Sequence, residues 1–314
     1  MRIKLVPADS NFNFLSKVRI AAVFSVLIVL LSLGMFVGKG LNLGIDFKGG
    51  ILIEAQNTTG DANLASLRQS MNGLNLGEVS IQSFGSPRDV LIRVQRQDGD
   101  EQAQIAAIKL ITSTLGDNYD VRRTEFVGPT IGAELARKGI MAVVCALLAI
   151  MLYIWFRFEW QFSVAAIVAL SHDVITTVGL FSLTNFEFNL ATIAAILTIA
   201  GYSINDTVVV FDRVRENLRR YKSWEQRDIL NKSLNETLSR TVMTSVTTAL
   251  ALLAIIIFGG AVLRDFALAM LWGVTIGTYS SIFVAVGLLS RFSLNRGDDD
   301  NDDGAPRPEY ERQK

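Results

Sequence analysis

The sequence contains one cysteine and one histidine among its 314 residues. A single cysteine excludes an intrachain disulfide, even in a part of the chain that faces an oxidising compartment. Cys145 falls in an apolar run, and we interpret it as a small core-facing or lipid-facing residue, since free cysteines are commonly buried. The formal net charge is +0, which indicates no nucleic-acid partner. No nucleotide-binding motif stands out, and we predict no cofactor and no metal site.

Charge is also scarce, and long hydrophobic runs take its place. Half of the residues (50%) are hydrophobic, 19% are charged, and the mean hydropathy is +0.35. That composition is too apolar for a soluble protein of this size. Six runs are each near the ~20 residues that cross a bilayer; they cover residues 18–38, 133–156, 161–182, 190–211, 241–258 and 266–290. The sequence therefore predicts a membrane α-helical protein with six transmembrane helices.

The first run is expected to be a retained membrane anchor. It follows basic residues, as a secretory signal does, but it is longer than a signal's apolar core and no small-x-small cleavage site follows it. Residues 1–17 before it form a short N-terminal segment. At the other end, residues 291–314 are rich in aspartate and contain two prolines, which predicts a disordered acidic tail.

Basic residues in short loops predict the orientation. The stretch 212–235 holds seven lysines and arginines, whereas the loops 183–189 and 259–265 hold only Arg264 between them. Both termini and a basic loop at 212–240 are therefore expected in the cytoplasm. Apolar residues at helical spacing in that loop predict an interfacial amphipathic helix.

Residues 39–132, between the first two spans, are expected to form a periplasmic domain. Strands are predicted at 51–55, 79–84, 90–94 and 119–127, helices at 61–74 and 100–115, and a turn at 86–89. Asp61 is the expected N-cap of the first of these helices, and Thr130 that of the second span. The order β-α-β-β-α-β predicts an α+β ferredoxin-like fold.

That fold by itself indicates no activity, and the domain lacks histidine and cysteine. A sheet surface that contacts another polypeptide is the more natural role. Residues 44–50 (GIDFKGG) open the domain. They are interpreted as a structural turn, with a ligand site at Asp46 and Lys48 as the alternative.

Three of the predicted spans carry a polar stripe that begins at an ionisable residue. Membrane helices turn such faces toward each other or toward water, so together they could form a hydrated path. The stripes are Asp206 with Ser203, Tyr202 and Thr198; Arg240 with Thr244, Thr247 and Thr248; and Asp173 with Thr176, Thr177 and the adjacent His172. The pair of an acid, Asp206, and a base, Arg240, on successive helices predicts ion or proton movement.

Each of these residues has a simpler interpretation. Asp206 could lie in interfacial water near the end of its span, and Arg240 could reach from the start of its span to the headgroups. Asp173 could be a fixed hydrogen-bonding group, and the pKa that suits histidine to proton transfer leaves a packing role for His172 open. In the sixth span, Gly273, Gly277 and Ser281 form a small-residue face for close helix packing.

Five segments of the sequence resemble the SecD/SecF family of protein-export membrane proteins, within the resistance-nodulation-division superfamily. The match covers nearly the whole chain except the acidic tail, and residues 201–217 are its most specific part. The segments are 44–50 (GIDFKGG), 127–135 (VGPTIGAEL), 171–174 (SHDV), 201–217 (GYSINDTVVVFDRVREN) and 234–245 (LNETLSRTVMTS).

The resemblance implies an inner-membrane subunit of the Sec translocase that uses the proton-motive force in late steps of protein export. It implies SecD as the partner, with the SecYEG channel, the SecA motor, the exported preprotein, YajC and YidC as further contacts. The family's proton-relay residues fall on Asp206 and Arg240. Asp173, His172, Tyr202 and Thr244 are then expected to form a polar pathway.

Two other classes of protein compete with this interpretation. An intramembrane aspartyl protease could use Asp173 and Asp206, but the glycine-x-glycine-aspartate context is missing, so no enzymatic activity is predicted. A stand-alone exporter of small hydrophobic molecules is the second rival. One six-helix half usually needs a second half, so the presence or absence of SecD would separate the two.

Overall fold

The computed structural model describes residues 11–99 and 101–295. Most of the predicted acidic tail, 296–314, lies outside the described residues. Within them, six helices are long and apolar enough to cross a membrane. They are α1 (Val18–Lys39), α5 (Pro129–Arg157), α6 (Trp160–Thr184), α7 (Leu190–Arg220), α8 (Gln226–Phe258) and α9 (Gly260–Ser280), the last continued by a π-helical turn (Ser281–Ala285) and α10 (Val286–Leu289).

The predicted loop at 212–240 is wrong, because α7 and α8 continue through it as one helical hairpin. Only Tyr221–Glu225 separates the two helices. Val214 and Leu218 of α7 pack in one cluster with Ile229 and Leu230 of α8. The apolar spacing that suggested a separate interfacial helix therefore forms the contact between two extended helices.

Close helix contacts depend on glycine at two positions. A Cβ atom on Gly179 of α6 would lie 2.2 Å from the Ser32 side chain of α1, and one on Gly273 of α9 would lie 2.2 Å from Ile199 of α7. Heavy atoms cannot approach so closely, so only glycine allows these backbones to pack at this distance. The predicted small-residue face of the last span, Gly273 and Gly277, lies against α7.

Between α1 and α5 the chain forms a four-stranded antiparallel sheet with two helices. Its elements follow a short strand and a one-turn helix, in the order β1 (Asn42–Leu43), α2 (Ile45–Lys48), β2 (Gly50–Asn57), α3 (Leu64–Asn72), β3 (Val79–Phe84), β4 (Ser86–Val94), α4 (Glu101–Leu115) and β5 (Tyr119–Val127). The strand order is β3-β4-β2-β5.

The two helices pack on one face of this sheet. Met71 of α3 and Ile111 of α4 are fully buried against Ile53 of β2 and Ile92 of β4. These side chains alternate along the strands, as expected where one sheet face is covered. On the opposite face Leu52 and Leu91 form a smaller cluster with Ile45.

Several local predictions in this region are wrong. The N-cap of α3 is Asn63, whose side chain accepts from the Ser66 amide, and not Asp61. Residues 86–89 belong to β4, and the tight turn lies at Gly85, whose positive φ of 82° favours glycine. Helix α5 begins at Pro129 after Gly128 as N-cap, so Thr130 is already inside the helix.

Residues 42–127, which contain the four-stranded sheet and its helices and are called the sheet unit below, are joined to the helix bundle at the start of α7. Strand β1 pairs in parallel with a second two-residue strand, β6 (Glu187–Phe188), in the α6–α7 connection. Asp46, in the motif at 44–50, accepts a hydrogen bond of 2.9 Å from the Leu190 amide. Asn189 caps the same helix end through a capping box with Thr192. The first turn of α7 is therefore hydrogen-bonded both by Asp46 of the 44–50 motif and by its own N-cap, Asn189.

At the opposite end of the bundle, the segment before α1 lies across the α7–α8 hairpin. Asn231 and Asn235, one turn apart on α8, accept hydrogen bonds of 2.8 Å from the amides of Phe14 and Phe12. Both side-chain amides also donate to the Phe12 carbonyl, at 2.9 Å. The backbone of this segment therefore finds its partners in α8 side chains.

Candidate functional site

Asp173 lies at the crossing of three membrane helices and is fully buried. Its Oδ2 atom accepts hydrogen bonds from Ser203 of α7 at 2.6 Å and Ser280 of α9 at 2.7 Å. On its own helix, α6, Thr176 and Thr177 donate to the Asp173 carbonyl. These hydrogen bonds satisfy the buried carboxylate and hold α6, α7 and α9 together at this position.

His172 extends this cluster toward α1. Its Nδ1 atom lies 2.9 Å from Asp173 Oδ1, while its Nε2 atom is buried and has no hydrogen-bond partner among the described residues. Its ring lies beside Tyr279, with 6.1 Å between the ring centroids. Tyr279 in turn donates to the Ala21 carbonyl of α1 at 2.8 Å. The polar core therefore links α6, α7 and α9, and reaches α1 through Tyr279.

Asp206 lies in a second buried position on α7. The residue is 3% exposed, and its Oδ2 atom has no hydrogen-bond partner among the described residues. The next residue, Thr207, pairs with Ser281 of the π-helical turn at 2.9 Å. Because α7 continues to Arg220, Asp206 is near the middle of that helix.

Arg240 lies near the middle of α8, which begins at Gln226. Its side chain is exposed on the surface of this chain. Its charge is close enough to act electrostatically on the Asp206 carboxylate. Across the described part of the chain, however, the two form no ion pair within 4.0 Å. The structure thus brings the acid and the base near each other without direct contact.

The remaining predicted polar residues divide between interior and surface. Tyr202 donates to Ser245 of α8 at 3.4 Å, and Ser245 lies 2.6 Å from Thr278 of α9. Thr244 is half-buried and donates to its own helix, at the Thr241 carbonyl. Thr198 is exposed. The α6 stripe faces inward along its whole length, whereas the α8 stripe does not.

Several members of the polar core were missed in the sequence, among them Ser280 and Ser245. Ser280 and Ser245 are both hydroxyl partners between helices. Ser280 lies three residues after Gly277, on the small-residue face. A hydroxyl beside such a face approaches a neighbouring helix closely enough to bond to it, and this signal could have identified it.

A buried ion pair lies where the sheet unit meets the bundle. Arg93 of β4 pairs with Glu187 of β6, and the two side chains are 16% and 12% exposed. Burial raises the pKa of Glu187 above its ordinary value, and the Arg93 guanidinium opposes that rise. Nowhere in the described ranges do three His, Cys, Asp or Glu side chains come together to hold a metal ion.

Six long apolar helices with buried carboxylates, joined to a folded sheet unit at one end of the bundle, define a multi-pass helical membrane protein. Residues 107–295 match the family described as "Protein export membrane protein SecD/SecF, C-terminal", and residues 34–56 match the "SecD/SecF GG Motif". The chain belongs to the SecD/SecF family of protein export membrane proteins.

Its relatives of similar length are SecF subunits. The chain is 44% identical over 299 residues to the protein translocase subunit SecF of Rickettsia bellii, covering 93% of this chain and 96% of that one. It is 43% identical to the translocase subunit SecDF of Brucella abortus, covering 96% of this chain and 40% of the relative. These similarities assign the chain to protein export at the inner membrane.

The fold is shared with a solved structure of the family. The crystal structure of SecDF from Thermus thermophilus, described as a translocon-associated membrane protein, matches with a TM-score of 0.83 and 39% identity. A SecDF structure in a super-membrane-facing form matches with a TM-score of 0.68. In both cases the match covers 93% of this chain and 40% of the other, so the present chain corresponds to less than half of a SecDF protein.

Proposed function

We propose that the chain works with SecD to use the proton-motive force in late steps of protein export, with Asp206 as the group that gains and loses the proton. The observation that carries this proposal is the buried Asp206 carboxylate, one oxygen of which has no partner among the described residues. A charge left in such a place is costly unless it is protonated or paired. Asp206 is therefore suited to alternate between the two states.

Arg240 would favour the charged state of Asp206. The two lie on neighbouring helices of the α7–α8 hairpin without a direct ion pair, so a small helix movement is enough to strengthen or weaken their attraction. One elementary charge crossing the membrane field is worth about 2.3 kcal/mol per 100 mV. That free energy biases a two-state rearrangement of the helices.

The contacts at the start of α7 offer a route from Asp206 to the sheet unit. Asp206 lies 16 residues after Leu190, which is about 24 Å along a helix. Asp46 binds the Leu190 amide, and Arg93 binds Glu187 just before it. A shift of α7 would thus move residues 39–132, which we propose to be a ferredoxin-like periplasmic domain that grips the emerging preprotein.

The exposed position of Arg240 supports SecD as the partner. A guanidinium in the middle of a membrane helix is costly against lipid and is normally found against protein or water. Only 11% of the apolar part of α8 is buried within this chain. We propose that SecD covers this face, as the fused SecDF relatives suggest, and that the pair acts with SecYEG and SecA, with YajC and YidC as further partners.

Basic residues support the proposed orientation. The α7–α8 hairpin end carries the arginines and lysines of 212–235, which favours the cytoplasm for that end and for both termini. The sheet unit, at the other end of the bundle, then faces the periplasm.

The alternative, export of small hydrophobic molecules, is not favoured, because the similar proteins are translocase subunits. An aspartyl protease would need Asp173 and Asp206 to share one site. The Asp173 carboxylate is instead hydrogen-bonded to Ser203, Ser280 and His172. The protein that co-purifies from gently solubilised membranes would separate the first two functions.

The variant Asp206→Asn tests the proton step. It should assemble with SecD, yet export should lose its response to an uncoupler, because the amide cannot take up and release the proton. Asp212→Asn is the matched control, since Asp212 lies on the same helix but is exposed and paired with Arg157. An Asp206→Asn protein whose export responds to the uncoupler as the wild type does would refute the proposal.

A further inference from the structure

The hairpin end of the bundle has an apolar groove on its outer surface. The groove has a volume of about 580 Å³ and runs between α1, α6 and the end of the last helix. Val18 and Leu30 of α1 mark its length. Twelve residues of helix separate them, about 18 Å, which is close to the ~15 Å of one leaflet of the hydrocarbon core.

A basic pocket of about 340 Å³ opens at one end of this groove and shares Val18 and Arg291 with it. Three arginines line the pocket: Arg19, Arg227 and Arg291. The other described lining residues are apolar or serine, so no carboxylate faces the arginines there.

The three arginines come from separate parts of the chain. Arg19 is in the first turn of α1, Arg227 is in the first turn of α8, and Arg291 follows α10. Arg227 donates to the Leu15 carbonyl at 3.3 Å, which holds it against the segment before α1. All three are exposed, and none forms an ion pair with an acidic residue in the described ranges. Three cationic side chains without acidic partners around one pocket favour the binding of an anion there.

We propose that this groove and pocket bind one anionic phospholipid, with its phosphate between Arg19, Arg227 and Arg291 and one acyl chain in the groove. Guanidinium groups suit phosphate because they present several donors in a fixed geometry, and basic pockets between membrane helices hold anionic headgroups. The apolar groove continues from the pocket for the depth of one leaflet, so headgroup and chain are accommodated together. A free anion would use the pocket alone.

The lipid would join three separate elements of the chain. Its phosphate would contact α1, α8 and the residue after α10 at once. Binding is therefore expected to stabilise the end of the bundle at which the α7–α8 hairpin turns.

Native mass spectrometry of the purified full-length chain tests this proposal with phosphatidylglycerol and phosphatidylcholine as probes. The wild type should retain phosphatidylglycerol in preference. The variant Arg19→Gln/Arg227→Gln/Arg291→Gln should lose at least about tenfold in affinity, since even one hydrogen bond between a guanidinium and a charged phosphate contributes roughly tenfold. The control Lys17→Gln/Arg219→Gln/Lys222→Gln removes the same charge outside the pocket and should change affinity less than about twofold.

A second pair of variants tests the groove. Val26→Trp places a large ring in the groove and should weaken phosphatidylglycerol binding, whereas Val37→Trp, on the same helix outside the groove, should not. Equal retention of both lipids, an unchanged triple variant, or an unchanged Val26→Trp protein would overturn the proposal. Full displacement by inorganic phosphate at matched concentration would overturn it too, because the pocket would then bind an anion without the acyl chain.

Discussion

Replacing Asp173 with alanine is expected to destabilise the helix bundle by about 2 to 5 kcal/mol. Its carboxylate contacts Ser203, Ser280 and His172 across three helices. Interhelical hydrogen bonds in membranes contribute about 0.6 kcal/mol on average and about 1.7 kcal/mol at most. Ser203 and Ser280 make two such interhelical bonds, and His172 adds a hydrogen bond within α6 of about 0.5 to 1.5 kcal/mol. Together these give the expected range, and alanine offers the donors no replacement.

The variant Asp173→Asn should lose only about 1 kcal/mol. Both serine hydroxyls donate to the same carboxylate oxygen, and the asparagine carbonyl can take that place. The asparagine amide would then face His172 Nδ1, which accepts in one of its neutral tautomers. What is lost is the difference between a charged and a neutral acceptor, about 1 kcal/mol.

Unfolding of the full chain in mixed micelles by a denaturing detergent, followed through helix content, measures these differences. Thr198→Ala is the matched control, because Thr198 is exposed and donates only to Ala194 of its own helix. An Asp173→Ala protein as stable as the control would refute the reasoning. So would an asparagine variant that loses as much as the alanine variant.

Two further predictions concern packing and the joint between the sheet unit and the bundle. Gly273→Ala should destabilise the bundle by about 1 to 3 kcal/mol, because the added methyl group overpacks against α7. Gly201→Ala is the control, since a Cβ atom there meets nothing within 4 Å. Equal melting temperatures of the two variants would contradict this prediction. Arg93→Gln should weaken docking by about 3 kcal/mol because it leaves Glu187 buried without its partner, and adding Glu187→Gln should restore part of the loss. Hydrogen exchange of the amides at 187–190 measures this, and equal exchange in the single and double variants would contradict it.

Hydropathy predicted the six helices but not the ends of α7 and α8. A window over 212–240 is polar, because Arg213, Glu216 and Glu236 alternate with the apolar residues there. The helices continue because Val214 and Ile229 are buried between them. That contact exists only once both helices are present, so it is a tertiary effect that no local window detects.

The sequence predicted which polar residues belong to the candidate site, but not which of them contact each other. Helical spacing placed Ser203 and Asp206 on one face of α7, and both are buried. It could not show that Ser203 would contact Asp173 while Asp206 would not, because the relative rotation of α6, α7 and α9 depends on their packing. The same reason explains why helical spacing could not decide between the two interpretations of Arg240, inward-facing or reaching to the headgroups; its side chain lies on the surface of this chain.

The π-helical turn at Ser281–Ala285 has a geometric consequence for the last span. A π turn accommodates one residue more than an α turn, and one residue corresponds to about 100° of rotation. If the turn closed to α-helical hydrogen bonding, Val286 to Arg291 would swivel relative to Ser280 without any change in the backbone before it. Ser281, which contacts Thr207 beside Asp206, is the first residue of that turn, so such a rotation would begin at the level of the proposed proton site.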